Sequence, residues 1–263
     1  MKNLFLSFFV FSLAITYGQN QKLVATELNS IELSADDFLG YDPFGYSYSI
    51  KNNVLSKIKG TESFEYKNPS LGKITKTNLQ SPLKIILFYE DFNTCIILDN
   101  QLNETQKINF SENSSPIVVT AIGMASQNQL WIYNSLNQQI GLYDYLKNSY
   151  KSISTSFPES ITLYQSDFNS FYWIDKNNQW YSCDIFGKIT SKGKLPEFDS
   201  IAIINDHQYI YYRDKTFIFQ DIEKNQKFEI EISEKTFEKF YFQDQILSIF
   251  TQGVITNYKI ATP

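Results

Sequence analysis

Four stretches, Cys95-Ile-Ile-Leu-Asp99, Ile140-Gly-Leu-Tyr-Asp144, Trp180-Tyr-Ser-Cys-Asp184 and Phe217-Ile-Phe-Gln-Asp221, repeat one phrase: an apolar strand that closes on Asp. The phrase recurs after 45, 40 and 37 residues, and a further 37 residues bring Tyr258 to the Asp position. No helical periodicity separates the copies. A period near 40, carried by β-branched and aromatic residues, is the length of one blade of a radial β-sheet architecture.

Around each phrase the sequence supplies further strands bounded by short polar turns. The fullest copies read Ile117 to Ile122, Leu130 to Asn134, Ile140 to Tyr145, Tyr150 to Ser154, and Ile161 to Tyr164, Phe171 to Asp175, Trp180 to Asp184, Lys188 to Ser191. Runs such as Lys84-Ile-Ile-Leu-Phe88 are apolar throughout instead of alternating, which calls for burial on both faces, as in a blade held between two neighbours. The last copy, Phe240 to Ile260, is one strand short, while Lys22 to Leu28 is strand-like and belongs to no copy. Pairing the orphan onto the short copy would close a ring and cover a sheet edge. The expected fold is all-β, a single β-propeller over 19–263, with six blades closed by the N-terminal strand on the last blade; five or seven are the neighbouring counts.

Residues 1–18 read as a signal peptide, with Lys2 in a short leading region, an apolar run from Leu4 to Ile15 and small residues at Thr16 and Gly18. Cleavage near Gly18 leaves 245 residues with net charge −6, and no integral membrane segment is expected after it. With 23 Lys and Arg against 28 Asp and Glu, the chain lacks the basic excess that binds nucleic acid. Cys95 and Cys183 sit in opposite strand registers of non-adjacent copies, so two separate buried thiols are expected in place of a disulfide.

The chemistry-bearing residues read as structural. Asp99, Asp144, Asp184 and Asp221 hold one position in every copy, where an Asp accepts hydrogen bonds from turn amides, and no closely spaced acidic loop of the calcium type occurs. The single His207 lies in the polar turn Asn205-Asp206-His207-Gln208 without zinc-ligand or triad spacing. Asp36-Asp37 and Glu90-Asp91 are adjacent acids on single segments, unlike glycosidase carboxylates that converge across a substrate. No catalytic, cofactor or metal site is expected. Three acceptor sequons begin at Asn103, Asn109 and Asn113. Asp91-Phe92-Asn93 and Asp167-Phe168-Asn169 each set a Phe on a turn, but at opposite ends of their blades. Phe92, flanked by Asp91 and Asn93, is the expected anchor for a protein partner.

The phrases Ser81-Pro-Leu-Lys-Ile-Ile-Leu-Phe-Tyr-Glu-Asp-Phe-Asn93, Leu98-Asp-Asn-Gln-Leu-Asn-Glu104 and Gln129-Leu-Trp-Ile-Tyr-Asn134 resemble a family of exported β-propeller proteins of Gram-negative bacteria. The family is associated with the periplasmic plug subunit of the type 9 secretion outer-membrane translocon. The resemblance implies a non-catalytic periplasmic propeller, a partner that is an outer-membrane protein or translocon complex, and no cofactor. Only Ala261-Thr-Pro263 follows the last strand, which leaves no room for a C-terminal sorting domain and agrees with a periplasmic location. The competing expectation is a propeller enzyme or glycan-binding module using a central funnel, where convergent carboxylates, His or Trp would gather.

Overall fold

The computed structural model describes residues 21–113, 116–232 and 237–262, so the leader expected over 1–18, with its cleavage at Gly18, lies outside the described residues. Among the described residues twenty-four strands follow in order. After β1 (Gln21–Glu32), a first four-stranded sheet holds β2 (Asp37–Tyr41), β3 (Ser47–Lys51), β4 (Val54–Lys59) and β5 (Glu62–Tyr66). The second holds β6 (Lys76–Ser81), β7 (Lys84–Tyr89), β8 (Thr94–Leu98) and β9 (Glu104–Asn109). The third holds β10 (Val119–Met124), β11 (Gln129–Asn134), β12 (Gln139–Asp144) and β13 (Ser149–Ser152), and the fourth β14 (Ile161–Ser166), β15 (Ser170–Asp175), β16 (Gln179–Asp184) and β17 (Ile189–Lys194). The remainder, β18 (Ser200–Ile203), β19 (Gln208–Arg213), β20 (Thr216–Asp221), β21 (Gln226–Glu231), β22 (Lys239–Gln243), β23 (Ile246–Thr251) and β24 (Val254–Ile260), is joined by β1 into one eight-stranded sheet.

β6 is a strand that the sequence pattern did not separate, because Lys-Thr-Asn-Leu-Gln-Ser is mostly polar. The first strands form the inner edge of the assembly, with β10 beside β6 and β14, and β2 beside β22. This is the layout of a β-propeller. Each sheet is an antiparallel meander. Turns joining first to second and third to fourth strands therefore emerge on one face, and the remaining turns with the sheet-to-sheet connections on the other. The repeated Asp residues lie on the first, here the Asp face, and Phe92 on the second.

The continuous apolar run of β7 is explained by its two neighbours. Ile85, Leu87 and Tyr89 pack with Tyr48 and Leu55 of the first sheet, while Ile86 and Phe88 pack with Ile122, Leu130 and Ile132 of the third. Cys95 and Cys183 are free, buried and in different clusters; burial alone pushes the Cys95 thiol up, and burial followed by the Asp184 charge pushes Cys183 up to about 12. Aromatic stacking tightens the junction of the third and fourth sheets, where Phe157 lies 4.3 Å from Trp173 and Trp173 5.1 Å from Tyr181.

β1 closes the ring, and it does more than the sequence led us to expect. Gln21 to Val24 run parallel to β21, and Ala25 to Glu32 run antiparallel to β24, with a register shift between Glu27 and Asn29. The closure shows in a repeated backbone bond from just after a fourth strand to a left-handed residue in the turn joining the second and third strands of the same sheet. Phe110 donates to the Asn93 carbonyl, Phe157 to Gln138, Leu195 to Asn178, and Leu33, just after β1, to Gly253. Leu33 thus occupies the slot that follows a fourth strand.

Candidate functional site

The repeated Asp residues each serve their own turn. The Asp99 carboxylate accepts from the Gln101 and Asn103 amides at 2.8 and 2.9 Å, that of Asp144 from Leu146 and Lys147 at 3.1 and 3.0 Å, and that of Asp184 from Phe186 and Lys188 at 2.9 and 3.0 Å. Asp221 accepts from the Lys224 amide and the Gln208 side chain. Hydrogen bonding to the ionised form holds Asp99, through the Asn103 side chain first, and Asp144, through the Lys147 amide first, below the ordinary value of 3.8. In Asp221 burial pushes upward, and the Lys224 and Gln208 bonds with nearby cationic charge outweigh it. Among the described residues no three His, Cys, Asp or Glu side chains come together as a metal-holding group.

Glu90–Phe92 form a single 3-10 turn, with Asp91 and Phe92 exposed. The Phe92 ring, 49% exposed, lies over Gly72, where a Cβ would come within 3.2 Å of it. Asn93 is turned inward. Its backbone is left-handed at φ 46°, its amide donates to the Ile117 carbonyl at 2.7 Å, and its side-chain oxygen accepts from the Val119 amide at 3.0 Å. Asn53 does the same at the previous junction, donating to the Gly72 carbonyl and accepting from the Ile74 amide. Asn93 therefore laces one sheet to the next, and Phe92 and Asp91 alone of the three face solvent.

The larger set of exposed apolar tips is on the opposite face. Phe44, Leu83, Leu146, Phe168, Phe186 and Ile222 all stand on turns of the Asp face, whereas Phe92, Val118 and Leu136 stand on the other. Phe186 is 85% and Leu146 68% exposed. Backbone bonds between turns hold this face together: Ser126 donates to the Phe168 carbonyl, Ile185 to Asn169, and Tyr145 to Asn128. Lys84, with its ammonium on the Tyr145 hydroxyl at 2.8 Å, ties the Leu83 turn to the Leu146 turn. The signal was present in the sequence: Leu146 and Phe186 each follow a repeated Asp by two residues, and Lys147 and Lys188 follow them closely.

Inside the ring, Lys76 at the start of β6 reaches Tyr164 on β14, its ammonium 4.4 Å above the ring centre. Lys239 at the start of β22 holds both carboxylate oxygens of Asp37 at 2.7 and 2.8 Å. Lys76, Lys239 and Asp37 are the first residues of their strands and so stand toward the Phe92 face, whereas Tyr164 lies mid-strand in β14. A cavity of about 460 Å³ lies at the closing seam between β1, β24, β22 and β2, lined by Leu28, Asn29, Tyr41, Tyr241 and Asn257 among others. His207 is half-buried in its turn, 3.5 Å from Glu223.

No protein-family model and no curated protein sequence matches the chain. Solved structures similar to it are propellers in architecture. A member of the DUF4221 family from Bacteroides vulgatus aligns with a TM-score of 0.61 at 8% identity, over 93% of this chain and 100% of its own. The β-propeller domain of Cps50 (Swd1) from Myceliophteria thermophila aligns at 0.56 and 9% identity, over 90% and 100%. Virginiamycin B lyase from Staphylococcus aureus aligns at 0.56 and 15% identity, over 85% and 80%. At these identities the likeness is one of fold. The chain is a β-propeller, a fold that does not by itself say whether its bearer is an enzyme.

Proposed function

We propose that this protein is a non-catalytic, exported β-propeller that works as a protein-interaction subunit in the periplasm, docked on an outer-membrane protein-secretion translocon. In this reading the eight-stranded sheet is two blades sharing β1, which makes six blades in all. The observation that carries the docking role is the Asp face, where six apolar side chains sit on turn tips that stack no further protein over them. Exposed large apolar groups set among polar turn residues are the usual anchors of a protein interface. The resemblance to exported Gram-negative propellers supplies the partner class. A ligand-binding funnel is the second reading, favoured by two charged contacts between first strands of different sheets, Lys76 with Tyr164 and Lys239 with Asp37.

The test is affinity capture of the tagged mature protein from its native envelope after mild crosslinking. An outer-membrane protein should be recovered with the wild type, and recovery should fall for Leu146→Ala with Phe186→Ala while Phe92→Ala retains more of it. Recovery of free monomer alone, with no crosslinked membrane protein, overturns the docking role. Loss with Phe92→Ala and retention with the double variant places the interface on the Phe92 face instead.

A further inference from the structure

We propose that the cavity of about 460 Å³ at the closing seam is a binding site for a small uncharged aromatic molecule that carries a hydrogen-bond acceptor such as a carbonyl oxygen. One row of residues, paired across four strands, sets the site: Tyr241 of β22 faces Ser248 of β23, Ser248 faces Asn257 of β24, and Asn257 faces Asn29 of β1. Ser248 stands three residues before the end of its strand. The residues at that place in β3, β7, β11, β15 and β19 are Tyr48, Ile86, Trp131, Tyr172 and Ile210, each a large side chain buried in an apolar cluster. In the second sheet the partner of Ile86 is Ile97, at the place of Asn257. Only at the closing seam, among the described residues, are both members of this pair short and polar, although Ser248 is 1% and Asn257 5% exposed. The cavity is the room that the missing bulk leaves.

The row is knitted together and still leaves donors unused. The Ser248 hydroxyl donates to the Asn257 side-chain oxygen at 2.6 Å, and the Asn257 amide donates to the Asn29 side-chain oxygen at 2.7 Å and to the Tyr41 hydroxyl oxygen at 3.1 Å. Both amide hydrogens of Asn257 are thereby engaged. The Tyr41 hydroxyl proton and the Asn29 amide hydrogens meet no acceptor among the described residues, and both side chains line the cavity. An acceptor on a ligand would answer them. Around this polar patch Leu28, Ile31, Pro43 and Ile246 supply apolar wall, and the rings of Tyr41 on β2 and Tyr241 on β22 favour an aromatic occupant. Apolar walls with a few convergent polar groups, in a volume between roughly 300 and 1,000 Å³, are the make-up of a small-molecule site. The charged residues of the lining are Asp42 and Asp244, with no Lys or Arg. Asp42 is committed to the Phe44 and Tyr46 amides and the Tyr48 hydroxyl. An anion would therefore meet acids and no cation, whereas a neutral acceptor meets donors.

The experiment is a titration of the protein with benzamide, which is neutral, aromatic and carries a carbonyl acceptor, followed by backbone amide NMR, with benzoate as the charged counterpart of the same shape. Saturable shifts at Leu28 to Ile31, Tyr41 and Asn257 are expected at about 10 mM benzamide, and benzoate should bind at least about tenfold more weakly. Tyr41→Phe removes the hydroxyl donor and keeps the cavity, so it should weaken benzamide about fivefold, the worth of one hydrogen bond. Ser248→Ile with Asn257→Ile installs the pair that the second sheet carries and should abolish the shifts in a folded protein, since replacing both polar partners together strands neither. If the double variant does not fold, Tyr41→Phe decides. No saturable shift with benzamide, benzoate binding as tightly as benzamide, unchanged affinity in Tyr41→Phe, or shifts that persist in a folded double variant would each overturn the site.

Discussion

Lys57 is buried inside the first sheet, and that single residue shows how the fold handles buried polarity. Its ammonium lies 3.7 Å from the fully buried Asp42 carboxylate, donates to the Asn100 carbonyl at 2.8 Å and stands 4.4 Å over the Tyr46 ring. Asp42 also accepts from the Phe44 and Tyr46 amides and from the Tyr48 hydroxyl, whose proton is held far above its usual range by burial first and by the Asp42 charge second. Removing the cation strands a buried carboxylate, so Lys57→Met should cost about 3 kcal/mol in urea unfolding, and less when combined with Asp42→Asn. A single-variant loss below about 0.5 kcal/mol would mean that the amide and hydroxyl bonds suffice. The repeated Asp turns make a pH prediction. Because Asp99, Asp144 and Asp221 have folded values below the ordinary 3.8, their stabilisation is present above that value and is lost as pH falls through the lower folded values. The melting temperature should therefore drop below about pH 4, and Asp99→Asn should flatten that drop; an acid limb unchanged in Asp99→Asn contradicts the assignment.

At the scale of elements, β1 is the piece on which the ring depends. Its seam is thinly packed: Phe38, Phe250 and Ile255 form its small buried cluster, beside the 460 Å³ cavity. What the seam lacks in apolar burial it makes up in close approach and polar bonding. Gly40, at φ 120°, lets β2 come so near β22 that a Cβ would lie 2.6 Å from the Tyr241 ring. Asn257 donates to Asn29 on β1 and to the Tyr41 hydroxyl on β2, joining three strands. Trimming Gln21 to Val24 removes the parallel pairing to β21, the Lys22–Glu231 ion pair and the packing of Leu23, and should lower the melting temperature by a few degrees, as for a loss of about 1 kcal/mol. Deletion through Glu32 uncovers the β24 edge and should abolish cooperative unfolding. A protein lacking β1 that melts at the wild-type temperature would disprove closure.

At the scale of the whole molecule, the exposed apolar turn tips are divided unequally between the two faces. On the Asp face backbone bonds between turns tie several of the tip-bearing turns together, so the docking proposed for this face would carry a reduced cost of ordering them. An aromatic tip buries roughly 150 to 250 Å² on docking, an upper bound of about 4 to 6 kcal/mol at about 25 cal/mol per Å²; with much of that offset by the desolvation and ordering costs of association, loss of one such side chain should still weaken binding by at least one to two powers of ten. Phe186→Ala, at an 85% exposed position, should show that loss in the affinity for the captured membrane protein with no change in melting temperature. A fall in stability of the same variant would show that the ring belongs to the fold and not to an interface.

The strand composition and the forty-residue recurrence of Asp were enough to determine a radial all-β plan, because burial between two neighbours forces runs such as Ile85 to Tyr89 to be apolar on both sides. The need for a closing strand was legible for the same reason: Phe240 to Ile260 is one strand short. The left-handed turn residues Asn53 and Asn93 were also in plain view, yet their task of lacing one sheet to the next appears only when the connection they bond to is in place. β6 escaped notice since an inner-edge strand facing a channel needs little apolar surface. Only the tertiary structure decided which turns share a face, and so set Phe92 apart from Phe186 and Leu146. It also brought Lys76 to Tyr164 and Lys239 to Asp37 over 88 and 202 residues, because contacts across a ring depend on closure and leave no local periodicity.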